Sequence, residues 1–299
     1  MNDALLQAFP AVQPKQPLAR YTAARLGGSA DYLYIAKDPA YTDIQRLLPV
    51  AWADSLPVTV IGGGANVLVA DAGIRGLVIV NRAARIEHCG ARVQAAAGTS
   101  LIHLARFCHE RALGGLEWAI AVPGTVGGAV VNNAGAHGSD IASNLLRARV
   151  FAPGGADWLA APDLDYAYRD SRLKSRTDRR FFVLAAEFAL QPADRDVIGA
   201  KMARNNAYRR RTQPSGASLG SIFKNPPGDF AGRLIEAAGI KGERMGGVQV
   251  SPQHANFFVN LDGAATARDY WRLVRLVQER VKRATGVTLE LEVQLLGDW

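Results

Sequence analysis

The sequence predicts an α+β fold built from more than one domain. Three observations carry this. At 299 residues the chain is long enough for two domains or three small ones. Short apolar runs separated by glycines dominate its first two-thirds, which is the mark of strands and turns. In the last third, segments of helical period mix with further strands. Composition shifts near residues 80 and 205 divide the chain into parts 1–80, 81–205 and 206–287, with a final strand at 288–297 expected to return to the first part.

Taken in order, Pro10, Pro14 and Pro17 punctuate the first twenty residues, which read as an irregular arm. Leu33–Ile35, Val58–Ile61, Leu77–Val80 and Val93–Ala97 read as short buried strands, set between Gly27-Gly28, Gly62-Gly63-Gly64, Gly73 and Gly76. Leu101–Leu113 reads as a helix. Leu101, Leu104, Ala105, Cys108 and Ala112 share one face, Thr99 or Ser100 caps it, and Gly114 ends it. Val183–Leu190 is a further strand, and Asp196–Arg211 a helix with a basic end. Asp229–Ala238 reads as a helix with Asp229 as its N-cap and Gly239 beyond its end. Thr266–Thr285 is the longest helix, with Leu273, Val274, Val277 and Val281 at helical spacing and Gly286 after it. Gln249-Val250 and Phe257–Val259 are strand-like, and Leu289–Leu296 forms the last strand.

A hydrophobic share of 48% and a charged share of 21% exclude a disordered chain, a collagen and a coiled coil. Lys and Arg number 35 against 27 Asp and Glu, a formal charge of +8. Such an excess points to an anionic partner: a nucleic acid, a membrane surface or a phosphorylated ligand. The basic residues are scattered, with no basic–aromatic interleaving, which argues against nucleic acid. The longest uncharged apolar stretch, Ala119–Ala136, is broken by Pro123, Gly124, Gly127, Gly128 and Gly135, so no membrane span is expected. Two cysteines, Cys89 and Cys108, are too few for a disulfide framework. The start, Met1-Asn2-Asp3-Ala4-Leu5-Leu6, lacks a basic region followed by an apolar run. A cytoplasmic protein is expected, working as a monomer. His103, Cys108 and His109 share one predicted helix on different faces, and His88, His137 and His254 lie apart, so no metal site is expected.

Two glycine-rich loops hold the strongest chemical signal. Gly62-Gly63-Gly64-Ala65-Asn66-Val67-Leu68 follows an apolar strand. Its glycines permit positive φ and a close ligand approach, and their N–H groups can form an anion-binding nest. It is not a Rossmann fingerprint, because Val67 stands where the third glycine belongs, and alone it reads equally as a tight turn. The second loop runs Pro123-Gly124-Thr125-Val126-Gly127-Gly128-Ala129-Val130-Val131-Asn132-Asn133-Ala134-Gly135-Ala136-His137-Gly138. So many glycines beside paired asparagines in an apolar stretch suit a backbone laid against an extended, phosphate-bearing cofactor.

Three further segments complete the pattern: Leu164-Asp165-Tyr166-Ala167-Tyr168-Arg169-Asp170-Ser171, then Gln213-Pro214 through Ser221-Ile222-Phe223-Lys224-Asn225-Pro226, then Leu289-Glu290-Leu291-Glu292-Val293. Taken singly, Arg169 reads as a surface arginine, Ser221 as a turn cap and Glu292 as an outward residue of an alternating strand. Together with the Arg25-Leu26-Gly27-Gly28-Ser29-Ala30-Asp31 segment and the two loops, they resemble the PCMH-type FAD-binding superfamily. Within it they most resemble the UDP-N-acetylenolpyruvoylglucosamine reductase family, of the shorter type. The resemblance covers about Arg20 to Leu296. Ala65 replaces a frequent serine, Leu173 a common aromatic, and Leu291 a usual proline or arginine.

The resemblance implies a two-subdomain FAD-binding fold followed by a smaller α+β substrate-binding domain. It implies that NADPH reduces FAD, which in turn reduces the enolpyruvyl ether of UDP-N-acetylglucosamine to UDP-N-acetylmuramate for peptidoglycan synthesis. Gly62, Gly63, Gly64, Ala65, Asn66, Val67, Leu68, Pro123, Gly124, Thr125, Gly127, Gly128, Asn132, Gly135 and Ala136 are then the cofactor-binding residues. Arg169 would grip the substrate carboxylate, Glu292 would assist in a protonated form that requires a raised pKa, and Ser221 would donate the proton, with Lys224 and Arg169 as nearby positive charges. Tyr168, Arg209, Lys224 and Asn225 would contact the sugar nucleotide, although Arg209, Arg210 and Arg211 also read as the solvated basic end of a helix. The alternative is another PCMH-type FAD oxidoreductase acting on a sugar or hydroxy acid. The first glycine loop holds no histidine for a covalent flavin link, so FAD is expected to be noncovalent. Acid precipitation of the purified protein should therefore release its yellow colour into the supernatant; colour retained in the pellet would refute noncovalent binding.

Overall fold

The computed structural model describes residues 3–261 and 263–299. The chain forms two compact units. One comprises the N-terminal residues to Gln13 with Tyr32–Gly63 and Gly76–Arg209; the other comprises Pro14–Asp31, Gly64–Arg75 and Arg210–Trp299.

The first unit has two cores. In one, the strand Ile74–Asn81 lies parallel to Val58–Ile61, with Val58 opposite Leu77 and Ile61 opposite Val80. Its buried run Leu77-Val78-Ile79-Val80 shows no alternation because both faces are covered. The helix Thr42–Ala53 packs Ile44, Leu47, Leu48 and Ala51 into this core. This helix is absent from the sequence expectation, since Pro49 in its interior breaks the reading although the apolar spacing is helical. The second core lies on an antiparallel sheet ordered Gly155–Ala160, Leu145–Ala152, Phe182–Ala189, Arg92–Ala96, Ile86–Cys89. Its first two strands are a hairpin not foreseen from the sequence, turned at Pro153-Gly154 with Gly154 at φ 109°.

Several boundaries differ from expectation. The supposed irregular arm contains a helix, Asp3–Ala8, and a strand, Gln13–Pro17; Met1 and Asn2 of that arm lie outside the described residues. The helix Leu101–Glu110 stops before Gly114, because Ala112 takes φ 55°. Its N-cap Ser100 makes no side-chain cap bond; Ser100 is instead bridged to Thr125. Part of the second glycine loop is a helix, Val126–Asn132, despite the poor helix propensity of Gly127 and Gly128. Packing overrides propensity here: the helix lies on the strands Phe182–Ala189 and Arg92–Ala96, and Val126, Ala129 and Val130 are buried.

The second unit is a four-stranded antiparallel sheet ordered Ala217–Ser221, Phe257–Asn260, Val248–Val250, Arg244–Met245. The helix Ala267–Thr285 buries Tyr270, Leu273, Val274, Val277 and Val281, as the helical spacing requires. Thr266 and Asp269 form a reciprocal capping box at its start, and Gly286 at φ 76° ends it. The Asp71 carboxylate also accepts from the Ala267 and Arg268 N–H groups, at 2.8 and 2.9 Å. The shorter helix is Ala231–Ala237. Asp229 does not cap it: that carboxylate pairs with Arg233 and accepts from Phe230 N–H, while Asn225 Oδ1 accepts from Ala231 N–H at 3.1 Å. The last strand is regular only over Gln294–Leu296, where it runs parallel to Val67–Val69. Asn256, fully buried, bonds both the N–H and the C=O of Phe223, at 3.0 and 2.8 Å. Asn256→Ala should therefore strand two buried backbone groups and cost about 2–4 kcal/mol in urea unfolding; a loss near zero would mean that the two groups find other partners.

Candidate active site

In the first unit the strand Val58–Ile61 delivers Gly62 and Gly63 to the second glycine loop. A Cβ on Gly62 would stand 2.2 Å from Thr125 Oγ1, and one on Gly63 would stand 2.8 Å from the Gly124 Cα. Two loops far apart in sequence are thus packed closely, Gly63 on the Gly124 backbone and Gly62 on the Thr125 side chain, and neither site has room for a Cβ. Arg82 Nη1 donates to the Gly62 carbonyl at 2.7 Å. Past Pro123, the second loop is stitched to the rest of the unit by its main chain. Leu101 N–H donates to the Gly124 carbonyl at 3.2 Å, Val126 N–H to Thr99 at 2.9 Å, and Gly127 N–H to Ala97 at 2.8 Å. A Cβ at Gly124 would meet nothing within 4 Å, and one at Gly128 only Thr125 Oγ1 at 3.7 Å. The room beside these two glycines suits a flat, extended, phosphate-bearing cofactor such as FAD. Asn132 turns its amide back onto the Gly128 carbonyl at 2.9 Å, and Gly135-Ala136 pairs with Ser139-Asp140.

The Leu164–Ser171 segment is sutured to this loop. Tyr166 donates its hydroxyl to the Val130 carbonyl at 3.0 Å, and Ser171 donates to Val131 at 2.6 Å. Burial, then the Asp140 charge, pushes the Tyr166 phenol well above its ordinary range, so it stays a donor. Arg169 stands between these ties with φ 58°, a left-handed conformation that a residue with a side chain takes only under constraint. Its Nη2 donates to the Gly135 carbonyl at 2.7 Å and its Nη1 to the Asn133 carbonyl at 3.4 Å. Tyr168, 53% exposed, lies with its ring centroid 5.2 Å from the Arg169 guanidinium carbon.

His137 is a residue that sequence reasoning passed over. Its ring meets Tyr208 edge-on at 5.7 Å. Burial, then the charges of Arg209 and Arg204, hold the imidazole below its ordinary value, while burial also pulls the half-buried Arg209 guanidinium down. The unit therefore carries a cationic cluster beside the end of the second loop. The signal was its place in the Gly135-Ala136-His137-Gly138 tail, adjacent to loop residues already singled out.

In the second unit Gly64 takes φ 67°, and a Cβ there would lie 2.0 Å from the Tyr21 carbonyl oxygen. Ala65 follows, and Asn66 sends its side-chain amide to the Glu292 carbonyl at 3.1 Å while its own carbonyl accepts from Gln294 N–H at 3.0 Å. Val67 and Leu68 pair with Gln294 and Leu295. The amide of Asn66 is thus spent on Glu292's backbone. The strand carrying Ser221 has a register shift between Ser218 and Ser221, with Gly220 at φ 75°. Such bulges re-aim the side chain that follows. Beyond it, the Ile222 carbonyl accepts from Glu292 N–H at 2.8 Å, and Lys224 N–H donates to Glu290 at 2.9 Å. This irregular ladder ties the backbone that follows Ser221 to that of Glu290 and Glu292, and Lys224 Nζ stands 3.6 Å from Glu290 Oε2. Asn225 spends its Oδ1 on the start of the Ala231–Ala237 helix.

Comparison with known proteins accords with this geometry. Residues 213–296 match the family model of the UDP-N-acetylenolpyruvoylglucosamine reductase C-terminal domain, and residues 37–156 match that of an FAD binding domain. UDP-N-acetylenolpyruvoylglucosamine reductase 2 of Symbiobacterium thermophilum is 46% identical, covering 96% of this chain and 92% of the relative. The reductase of the same name from Rubrobacter xylanophilus is 44% identical over the whole of both chains. Among solved structures, UDP-N-acetylenolpyruvylglucosamine reductase of Thermus caldophilus superposes with a TM-score of 0.81 at 33% identity, covering 95% of this chain and 98% of the other. The Gly63–Gly124 approach gives a direct test of the loop assignment. Gly63→Ala should overpack it by about 1–3 kcal/mol and lower FAD affinity about tenfold or more, read as flavin absorbance per protein after dialysis. Full retention of flavin would remove these loops from the cofactor site.

Proposed function

The chain belongs to the UDP-N-acetylenolpyruvoylglucosamine reductase family, and from that premise we propose how its own residues carry out the reduction. It is an FAD-dependent oxidoreductase that forms UDP-N-acetylmuramate from the enolpyruvyl ether of UDP-N-acetylglucosamine. Gly62, Gly63, Gly124, Thr125, Gly127 and Gly128, with Gly64–Leu68, Asn132, Gly135 and Ala136, would hold the cofactor. The flavin held there would supply the redox chemistry, two electrons from NADPH delivered to the enolpyruvyl double bond as hydride.

The chain's part is to manage charge and one proton. Negative charge grows on the substrate carboxylate as its double bond is reduced, and catalysis gains most from groups that bind that charge more tightly than the ground state. Arg169 carries a permanent charge and a planar fork matched to a carboxylate. The observation that carries its role is the pair of main-chain carbonyls, Gly135 and Asn133, that fix the guanidinium beside the second glycine loop. A pre-set donor needs no reorganisation during reaction. Glu292, in protonated form, would add a second donor to the same carboxylate.

Ser221 would pass its hydroxyl proton to the carbon next to the carboxylate and recover one from solvent. A serine is a weak acid, and a positive charge such as the Lys224 ammonium would favour the transient negative oxygen. Tyr168, Arg209, Lys224 and Asn225 would meet the sugar nucleotide, with Arg209 placed in the cationic cluster that contains His137. On this reading residues 1–80 and 81–205 hold the flavin and 206–287 the sugar nucleotide. The protein would act in the cytoplasm as a monomer; its unpaired cysteines, Cys89 exposed and Cys108 buried, suit a reducing compartment. Among the described residues no helix is long and apolar enough to cross a membrane.

Ser221→Ala separates the two halves of the cycle. NADPH should reduce its flavin at the wild-type rate in stopped flow, while UDP-N-acetylmuramate formation falls by about 10²–10⁴-fold. Product formation near the wild-type rate would show that another group gives the proton.

A further inference from the structure

We infer that Asn133 is the residue that positions Arg169, and so sets the carboxylate grip from the cofactor side of the fold. This rests on the reading that Arg169 holds the substrate carboxylate. Asn133 ends the helix Val126–Asn132 in the left-handed conformation, φ 43°, and is only 4% exposed. Its Nδ2 donates to the Ala167 carbonyl at 3.0 Å and to Asp140 Oδ2 at 3.3 Å, and its Oδ1 accepts from Ala142 N–H at 3.2 Å. Both N–H donors of the amide are therefore used.

The bond to Ala167 is the decisive one. Ala167 and Asp170 exchange backbone hydrogen bonds, 3.2 and 3.1 Å, and close a tight turn that has Tyr168 and Arg169 at its tip. The left-handed φ of Arg169 is sustained by that closure. Asn133 thus grips the base of the turn with its side chain, while its own carbonyl receives Nη1 of the arginine at the tip. One residue fixes both ends of the lever. Asparagine is the side chain that tolerates this φ and brings two N–H donors. An aspartate would lose those donors and face the Asp140 carboxylate.

The test uses the oxidised holoenzyme and two ligands: UDP-N-acetylmuramate, which bears the carboxylate, and UDP-N-acetylglucosamine, which lacks it. Isothermal titration gives the ratio of the two affinities. Asn133→Gly keeps the left-handed backbone and the Asn133 carbonyl but removes the side-chain ties. It should cut the preference for the carboxylate ligand about tenfold or more, with UDP-N-acetylglucosamine affinity and flavin content unchanged. Arg169→Ala should remove the same preference. If Arg169→Ala keeps it, the reading of Arg169 falls and the role of Asn133 with it. If Arg169→Ala loses it while Asn133→Gly keeps it, only the positioning role is overturned. Should the glycine variant fail to fold, Asn133→Asp, which keeps the side-chain size but cannot donate to the Ala167 carbonyl, should show the same loss. An unchanged preference in the aspartate variant overturns the positioning role.

Discussion

A Cβ placed on Gly63 would lie 2.8 Å from the Gly124 Cα, and one on Gly62 only 2.2 Å from Thr125 Oγ1. This close approach of two backbones is the constraint on which the rest of the first unit depends. Gly62 and Gly63 bring no side chain of their own to the contact, and a Cβ at Gly124 would meet nothing within 4 Å. A dinucleotide's phosphates and flat rings are best met by N–H groups and by the absence of side-chain bulk. The helix that follows starts from Thr125 and is pressed onto the sheet strongly enough to tolerate two glycines.

Main-chain carbonyls carry much of the geometry that follows. Those of Val130, Val131, Asn133 and Gly135 receive Tyr166, Ser171 and both Nη atoms of Arg169. In the second unit the carbonyls of Ile222 and Glu292 receive Glu292 N–H and the Asn66 amide. Such anchors do not depend on which side chain occupies the anchoring position, and they stay put while charge moves. That is the preorganisation an electrostatic catalyst needs. Among side chains, Asn133 adds to this by gripping the base of the turn that carries Arg169.

The formal charge of +8 takes on a local meaning here. Burial, then the charges of Arg209 and Arg204, hold the His137 imidazole below its ordinary value, so two of the positive charges act on the tail of the second loop. Other basic residues are paired at the surface, as in Arg176 with Asp178 and Arg283 with Glu279, where such pairs contribute little to stability.

What the sequence by itself determined was whatever depends on local pattern. The helix Ala267–Thr285 follows from its apolar spacing and from Gly286; the two glycine loops are legible from their density of glycines, in the second beside paired asparagines; and Arg169, Ser221 and Glu292 stood out by order and resemblance. Local pattern was silent wherever packing overrode it. Pro49 hid the helix Thr42–Ala53, Gly127 and Gly128 hid the helix Val126–Asn132, and Asp229 looked like a cap when its carboxylate is held by Arg233. Only the tertiary structure decided that Gly63 meets Gly124, that the last strand pairs with Val67–Val69, and that Asn133 reaches Ala167. Each of these joins segments well apart along the chain. The spacing of residues in a sequence encodes which face of a helix or strand a side chain takes, but not which distant backbone that face will meet.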